Sequence, residues 1–242
     1  MKRLLLAAAL FAVQAGVSLA APILIDNFTD PQFFGVGPGG SNPLTASQGI
    51  VTGANSIGGA RNITITRTSG NSFDFISTGG IFELNLAAAD AGSALVIWDG
   101  DTNNTINTTG LSVDLTDGGT NVAFQLFSRS DLVSPVTITV YSGANASSFT
   151  YNTPGLGFGL VPFTETFLYF SNFTTIAGTG ADFTNVGAIT LFIDSSALSR
   201  AGADTQIDLI GAVPVPEPST MLLSGLAIAA LGFVRRKRVA NT

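Results

Sequence analysis

Between residues 22 and 213, apolar and polar side chains alternate over many short stretches. Ile63 and Ile65 alternate with threonines, and Val136, Ile138 and Val140 do the same. A period of two also occurs at Val122–Leu126, Ile189–Ile193 and Ile207–Leu209. This period is typical of β-strands with one buried face. The competing helical pattern, at Ala87–Gly92, is short.

Turn-forming residues separate these stretches. They occur at Ser69–Asn71, Asp99–Asp101, Asp117–Gly119 and Ser142–Asn145. Short strands at this spacing predict an all-β fold, a single antiparallel β-sandwich with a jelly-roll-like arrangement, over residues 21–212. We expect many of the 18 phenylalanines to fill the space between its two sheets.

Two further segments carry local predictions. The polar, turn-rich stretch Gly35–Asn55 is expected to be a long loop or an irregular edge. Asn62–Phe75 and Val136–Tyr151 each consist of a strand, a Ser-Gly turn and a phenylalanine-bearing strand. This similarity predicts two hairpins, or an internal duplication, but not a repeat protein, which needs at least three copies.

The composition excludes several kinds of chemistry. The chain contains no cysteine and no histidine. Disulfides, thiolate metal ligands and Ser-His-Asp or Cys-His catalysis are therefore impossible within it. Paired carboxylates could still catalyse glycan hydrolysis. The acids are mostly scattered aspartates in turns, however, where the side chain usually bonds its own backbone.

Charge is distributed unevenly along the chain. The net charge is −6, yet residues 22–213 hold 15 acids and only four arginines, a balance of −11. Such an acidic body repels phosphates, so we expect no nucleic-acid partner. It would suit Ca²⁺, which prefers oxygen ligands.

The N-terminus has the organisation of a secretory signal peptide over residues 1–20. Lys2 and Arg3 precede an apolar stretch, and Ser18-Leu19-Ala20 supplies the small residues at the cleavage site. The implied partners are the general secretion machinery and signal peptidase.

At the other end, Ser219–Val234 is an uncharged, mostly apolar run of 16 residues. As a helix it would be about 24 Å long, against about 30 Å for a hydrocarbon core. This is marginal for one short transmembrane helix. The cations Arg235, Arg236, Lys237 and Arg238 would stop it at the cytoplasmic side.

Residues 213–238 resemble the PEP-CTERM sorting signal of Gram-negative bacteria. The resemblance rests on Val215-Pro216-Glu217-Pro218-Ser219, the short apolar run and the basic cluster Arg235–Arg238. It implies an exosortase, a membrane-embedded cysteine transpeptidase, as the partner that recognises and cleaves the tail. It also implies a precursor held transiently in the inner membrane, then a place at the cell surface or in the extracellular matrix. Such proteins are associated with exopolysaccharide and biofilm.

The body resembles galactose-binding-like, carbohydrate-binding jelly-roll domains. The similar features are Leu24–Phe28 at its start and Ala203–Val213 at its end. In such domains a structural Ca²⁺ often lies where the first and last strands meet, and Asp26 and Asp208 are the matching positions. The alternative is two solvated carboxylates on a polar strand face. No other cofactor is expected.

Trp98, the single tryptophan, is the candidate for stacking on a sugar. An exposed indole stacks well on a pyranose, whereas a buried one belongs to the core. Both possibilities stay open at the end of the strand "ALVIW". The adjacent Asp99–Asn104 lacks the glycine and glutamate of a calcium-binding EF-hand loop and is predicted to be a hairpin loop.

Together these features predict an exported, non-catalytic protein with a structural or glycan-binding role in the extracellular polysaccharide matrix. Two alternatives remain: a secreted, carboxylate-based glycan-cleaving enzyme, and an envelope structural protein without a ligand.

Overall fold

The computed structural model describes residues 21–155 and 162–215, which form a sandwich of two antiparallel sheets. The first sheet contains β1 (Ile23–Asp26), β2 (Phe33–Val36), β5 (Asp74–Ser77), β6 (Phe82–Asn85), β8 (Ala123–Ser130), β11 (Thr164–Tyr169) and β14 (Thr205–Val213). The second contains β3 (Leu44–Val51), β4 (Ala60–Ser69), β7 (Ala91–Trp98), β9 (Pro135–Ser142), β10 (Asn145–Asn152), β12 (Thr174–Ala177) and β13 (Ala188–Ser195). The predicted fold class is confirmed.

The strand order places the two ends of the body together. The first sheet runs β11-β8-β14-β6-β5-β2, and β1 pairs with β14 beyond the end of β6. The second sheet runs β12-β10-β9-β13-β7-β4-β3. Ile23 pairs with Ala212, so the first described strand starts where the last one ends.

The core lies between the sheets and follows the predicted alternation. Ile63, Ile65, Ile138, Leu191 and their inward-facing neighbours are fully buried. The phenylalanines divide into two groups. Phe28, Phe82 and Phe124 belong to the core, whereas Phe33 and Phe73 are exposed.

The structure decides between three sets of local alternatives. The short helical pattern at Ala87–Gly92 folds as a turn followed by the start of β7. Gly35–Asn55, predicted to be a long loop or an irregular edge, contains β3, which pairs with β4 and is the edge strand of the second sheet, so the edge alternative is confirmed. Asp99–Asn104 begins a connection from the second sheet to the first, because β7 and β8 belong to different sheets, so it is not a hairpin loop.

The two similar Ser-Gly segments fold differently. β9 and β10 form the predicted hairpin, with register from Asn145–Ser142 to Asn152–Pro135. β4 and β5 do not pair, because β4 pairs with β3 and β7 in one sheet while β5 pairs with β2 and β6 in the other. The same local sequence pattern thus serves once as a hairpin and once as a crossover.

Several predicted features lie outside the described residues. These are the signal peptide at 1–20, Pro216–Ser219, the short transmembrane helix and the cluster Arg235–Arg238. Residues 21–155 and 162–215 contain no helix with the length and hydropathy of a membrane span.

Candidate functional site

Asp26 is at the centre of a buried polar cluster between the sheets. Arg61 Nη1 donates to both of its carboxylate oxygens at 2.9 Å, and Trp98 Nε1 donates to Oδ2 at 2.7 Å. The backbone N–H of Phe28 donates to Oδ1 at 2.7 Å. Burial raises the pKa of Asp26, and the charge of Arg61 and these hydrogen bonds act in the opposite direction. Asp26 is therefore the counter-ion of a buried arginine.

Arg67 forms a second buried cluster at the other end of β4. Its guanidinium donates to the carbonyl oxygens of Gly37 at 3.0 Å and Gly39 at 2.8 Å, and also to that of Ser72. The carboxylate of Asp90 lies 3.9 Å away. Arg67 thus connects the segment after β2, at Gly37 and Gly39, to the β4–β5 connection at Ser72.

The two arginines were missed by the sequence analysis. Their positions have the same parity as Ile63 and Ile65, so all four side chains project from the core face of β4. Arginine on a core face requires a buried partner. The spacing of two residues between Arg61, Ile63, Ile65 and Arg67 could therefore have predicted that both arginines are buried.

Trp98 does not present a ring for sugar stacking, which corrects its assignment as a glycan-binding residue. Its side chain is 0% exposed, and its N–H is bonded to Asp26. The alternative, a core tryptophan, is what the structure shows, because the ring contacts Phe28 at 6.3 Å between centroids.

The predicted meeting of the first and last strands is confirmed, but Asp26 and Asp208 differ in environment. Asp208 is half-buried and is the extra residue in a bulge, where the register of β14 against β8 shifts between Ile207 and Leu209. The oxygens of Asp26 are already bonded to Arg61 and Trp98. Among the described residues, no group of three or more carboxylates could hold a metal ion. A calcium ion at this place stays an untested prediction from the sequence, and the bonded oxygens of Asp26 argue against it.

A row of side chains that are neighbours across the strands lies on the outer face of the first sheet, away from the buried clusters of Asp26 and Arg67. Its register is continuous: Phe33 opposite Ser77, Ser77 opposite Glu83, Glu83 opposite Gln206, and Gln206 opposite Arg129. We call these five residues, with Phe163, the outer row. All are half-buried except Phe33, which is 67% exposed. Five strand spacings of about 4.8 Å give the row a length of about 24 Å.

The outer row has an aromatic ring at each end and polar groups between. The guanidinium of Arg129 lies 4.6 Å from the ring centroid of Phe163, and its Nε donates to Gln206 Oε1 at 2.7 Å. At the other end, the ring of Phe33 lies 5.4 Å from that of Phe75. Gly35 lies opposite Phe75, and a Cβ at Gly35 would approach the carbonyl oxygen of Asp74 to 2.1 Å, so that position requires glycine.

Two carboxyl groups beside the segment that follows β6 have raised pKa values. Burial raises the pKa of Asp204 to about 6, aided by the charges of Asp131 and Glu83. Burial likewise raises the pKa of Asp74 to about 6, aided by Asp90. Each accepts a backbone hydrogen bond from the segment after β6, Asp204 from Leu86 at 3.1 Å and Asp74 from Ala87 at 2.8 Å.

A shallow polar depression of 210 Å³ lies at the end of the sandwich where β14 finishes. It is lined by Thr108, Thr109, Ser112, Gly143, Asn185 and Gly187. The backbone bond from Gly143 N to Thr108 O closes one side at 3.0 Å. These lining side chains are small or polar, and none of them is ionisable.

The comparisons with solved structures give distant matches. A family 11 carbohydrate-binding module of a cellulosomal cellulase of Clostridium thermocellum is 10% identical, covers 83% of this chain and 98% of its own, and has a TM-score of 0.39. A CBM29-2 mutant complexed with cellulohexaose is 12% identical, with coverages of 81% and 92% and a TM-score of 0.33. An exo-beta-agarase is 11% identical, covers 81% of this chain and 25% of its own, and has a TM-score of 0.43.

The sequence comparisons are more specific at one end of the chain. A search of curated proteins finds no significant match. The PEP-CTERM protein-sorting motif matches residues 214–238. Those residues begin directly after Val213, the last residue of β14. The chain is thus an antiparallel β-sandwich followed at once by a PEP-CTERM protein-sorting motif.

Proposed function

We propose that this chain is an exported surface protein, sorted by an exosortase, whose sandwich binds an extended, uncharged polysaccharide along the outer row. The function is non-catalytic, and the glycan belongs to the extracellular matrix or biofilm of a Gram-negative bacterium. The precursor is held in the inner membrane by its tail and is then delivered to the cell surface.

The sorting part of the proposal is supported by the motif at residues 214–238. A protein that carries it must be exported first, which agrees with the signal peptide predicted at residues 1–20. The acidic composition of the body also suits a protein that remains soluble outside the cell.

The binding part rests on the outer row. Aromatic side chains offer apolar faces to a sugar ring, while Glu83 and Gln206 offer hydrogen-bonding groups to its hydroxyls. Phe33 is 67% exposed although it lies on a strand, so its ring is available to a ligand. The length of the row, about 24 Å, suits an extended chain of several sugars better than a monosaccharide.

Affinity electrophoresis and a glycan array with the full-length mature protein test this proposal. Binding to a neutral polysaccharide, without release of reducing sugar and with loss in a Phe33→Ala variant, is the expected result. Binding that Phe33→Ala does not reduce would remove the outer row from the proposal. Failure to bind any matrix polysaccharide would favour an envelope protein without a ligand.

One observation favours the alternative, a carboxylate-based glycan-cleaving enzyme. The pKa of Asp204, raised to about 6 by burial and by Asp131 and Glu83, is in the range of a general acid. Release of reducing sugar that is abolished by Asp204→Asn would establish this activity and displace the non-catalytic one.

A further inference from the structure

Two buried carboxyl groups meet between the sheets, behind the outer face of the first sheet. Asp74, the first residue of β5, is 0% exposed, and Asp90, directly before β7, is 1% exposed. Their side chains form a hydrogen bond with each other. We call these two residues the acid pair. A carboxylate has no hydrogen to donate, so one member of the acid pair must carry a proton.

The hydrogen bonds around the acid pair show which member carries it. Asp90 accepts the backbone N–H groups of Asn71 at 3.0 Å and Ser72 at 2.8 Å, one on each oxygen, and so has the donors that a carboxylate requires. Asp74 accepts only the N–H of Ala87, on Oδ1 at 2.8 Å. Its Oδ2 is buried and has no donor among the described residues. A proton on this Oδ2, donated to Asp90, satisfies the atom.

The charges of this cluster balance when that proton is present. The guanidinium of Arg67 is buried, and its Nη1 lies 3.9 Å from Asp90 Oδ2. One cation and one carboxylate then leave the cluster neutral beside an uncharged Asp74. Loss of the proton leaves an unpaired negative charge in the interior, which is unfavourable.

The other elements beside Asp74 add acids rather than a second cation in the part of the chain that the structure describes. β2 pairs with Asp74 at Val36 and contains no charged residue. β6 contributes Glu83, a member of the outer row. The carboxylate of Asp204 accepts the N–H of Leu86, next to the connection that bonds Asp74. Neither acid can stabilise an ionised Asp74.

Three phenylalanine rings lie on the outer face above the acid pair. The ring of Phe75 lies 5.4 Å from that of Phe33 and 6.0 Å from that of Phe73, between ring centroids. We call these three residues the aromatic strip. Phe33 is 67% exposed and Phe73 is 46% exposed. Asp74 lies between Phe73 and Phe75 in the chain, so its side chain projects to the core while theirs project outward.

The acid pair holds the backbone on both sides of Phe73. Asp90 bonds to Asn71 and Ser72, the two residues before that ring, and the other member of the pair follows it directly. Gly70 has a φ of +92°, and a Cβ there would come within 1.8 Å of Asp90 Oδ1. The chain therefore passes directly against this carboxylate before it reaches the aromatic strip.

From this geometry we infer that the acid pair shares one proton, and that loss of this proton releases the aromatic strip and weakens polysaccharide binding. When the proton leaves to solvent, a hydrogen bond between two carboxyl groups is replaced by repulsion between two carboxylates. Burial raises the pKa of Asp74 to about 6, aided by Asp90, so the change occurs below neutral pH. This inference rests on the binding part of the proposed function and specifies its regulation.

One substitution keeps the acid pair in its protonated arrangement. In Asp74→Asn the amide Nδ2 can donate to Asp90 as the shared proton does, while Oδ1 still accepts the N–H of Ala87. The matched control is Asp194→Asn. Asp194 is half-buried on the outer face of the second sheet and accepts the N–H of Ser196. This control removes the same charge without contact with the acid pair.

Isothermal titration of the full-length mature protein with a neutral oligosaccharide, at about pH 5 and about pH 8, tests the inference, since ordinary carboxylates stay ionised over this range. We expect the parent protein and Asp194→Asn to bind about threefold more weakly at the higher pH, as linkage to one proton allows. Asp74→Asn should bind with the tighter affinity at both pH values. Carboxyl carbon NMR of Asp74 in the parent protein, which needs no variant, should show titration above the ordinary range of aspartate.

The outcomes separate binding from its regulation. If no neutral polysaccharide binds at either pH, the binding part of the proposed function is wrong, and its regulation with it. Equal affinity of the parent protein at both pH values, or a pH dependence that persists in Asp74→Asn, would overturn the inference while binding to the outer row holds. Titration of Asp74 in the ordinary range of aspartate would show that the acid pair shares no proton, which would also overturn it.

Discussion

A single nitrogen of Arg61 donates to both carboxylate oxygens of Asp26 at 2.9 Å, and both side chains are completely buried. The pair joins β1 of the first sheet to β4 of the second. Trp98 and Gln32 complete its hydrogen bonds from the two sides. A polar link of this kind fixes how the two sheets are placed relative to each other.

Replacing Arg61 with alanine should destabilise the protein strongly. Asp26 would keep its burial but lose its counter-ion, which typically costs about 3–5 kcal/mol. Urea unfolding followed by circular dichroism measures the change. Arg200→Ala is the control, because Arg200 is half-buried in the connection between β13 and β14 and has no ion pair with a buried carboxylate in the described part of the chain; it should change the free energy of unfolding by less than about 0.5 kcal/mol. A loss below 1 kcal/mol in Arg61→Ala, on the order of a surface pair, would contradict the role of this pair.

The protein should become more stable as the pH falls from about 7 to about 4. Asp74 and Asp204 have folded-state pKa values raised to about 6 from 3.8. A raised acid pKa means that the folded state binds the proton more tightly than the unfolded state. Its stabilising contribution is thus complete below about pH 4 and is lost as the pH rises through about 6.

The melting temperature across this pH range tests the effect. The double variant Asp74→Asn with Asp204→Asn keeps an oxygen acceptor for the backbone N–H groups of Leu86 and Ala87 but cannot ionise. Its melting temperature should vary less with pH than that of the parent protein. An equal pH dependence in both proteins would show that other groups control it. Hydrogen bonds from Thr116 and Thr184 lower the pKa values of Asp114 and Asp182. Below pH 4 these two groups therefore act in the opposite sense.

The fold class was predictable because alternation with a period of two directly reports a strand with one buried face. Ile63, Ile65, Ile138 and Leu191 were all identified in this way and all are buried. Strand pairing was not predictable from the same signal. A Ser-Gly turn closes the β9–β10 hairpin, but the similar turn after β4 leads into the other sheet.

The candidate site could be predicted less well than the fold. Phe33 and Phe28 have the same residue type and lie five positions apart, yet one is exposed and the other is in the core. Which face of β2 points outward depends on its pairing with β5, and that pairing is a long-range property. The outer row is assembled across strands β2, β5, β6, β14 and β8 and has no local sequence motif.

Chelation should leave the thermal stability unchanged. Asp26 already accepts hydrogen bonds from Arg61, Trp98 and the backbone of Phe28, which occupy both of its oxygens. Addition of EDTA to the purified protein, followed by thermal unfolding, is the measurement. A fall in melting temperature that added Ca²⁺ reverses would instead support the sequence-based calcium site at Asp26 and Asp208.

Single substitutions in the outer row should weaken polysaccharide binding without unfolding the protein. Phe33→Ala removes an exposed ring, and Gln206→Ala removes an amide at the centre of the row. Each should lower affinity about 5- to 10-fold, or about 1–1.4 kcal/mol. Isothermal titration with a neutral oligosaccharide measures this loss. Thr66→Ala, on the outer face of the second sheet, is the control. Equal losses in Thr66→Ala and Phe33→Ala would place the binding surface elsewhere.

The tail should be absent from the mature protein, while the sandwich remains intact. β14 ends at Val213, so cleavage near Pro216–Ser219 removes no strand residue. Intact-mass analysis of the surface-localised protein should therefore show loss of the apolar run and of Arg235–Arg238. Substituting Pro216 and Pro218 with alanine should leave the precursor at full length, with an unchanged melting temperature of the sandwich. Surface-localised protein that still contains Arg235–Arg238 would refute processing, since the tail would then act as a permanent anchor.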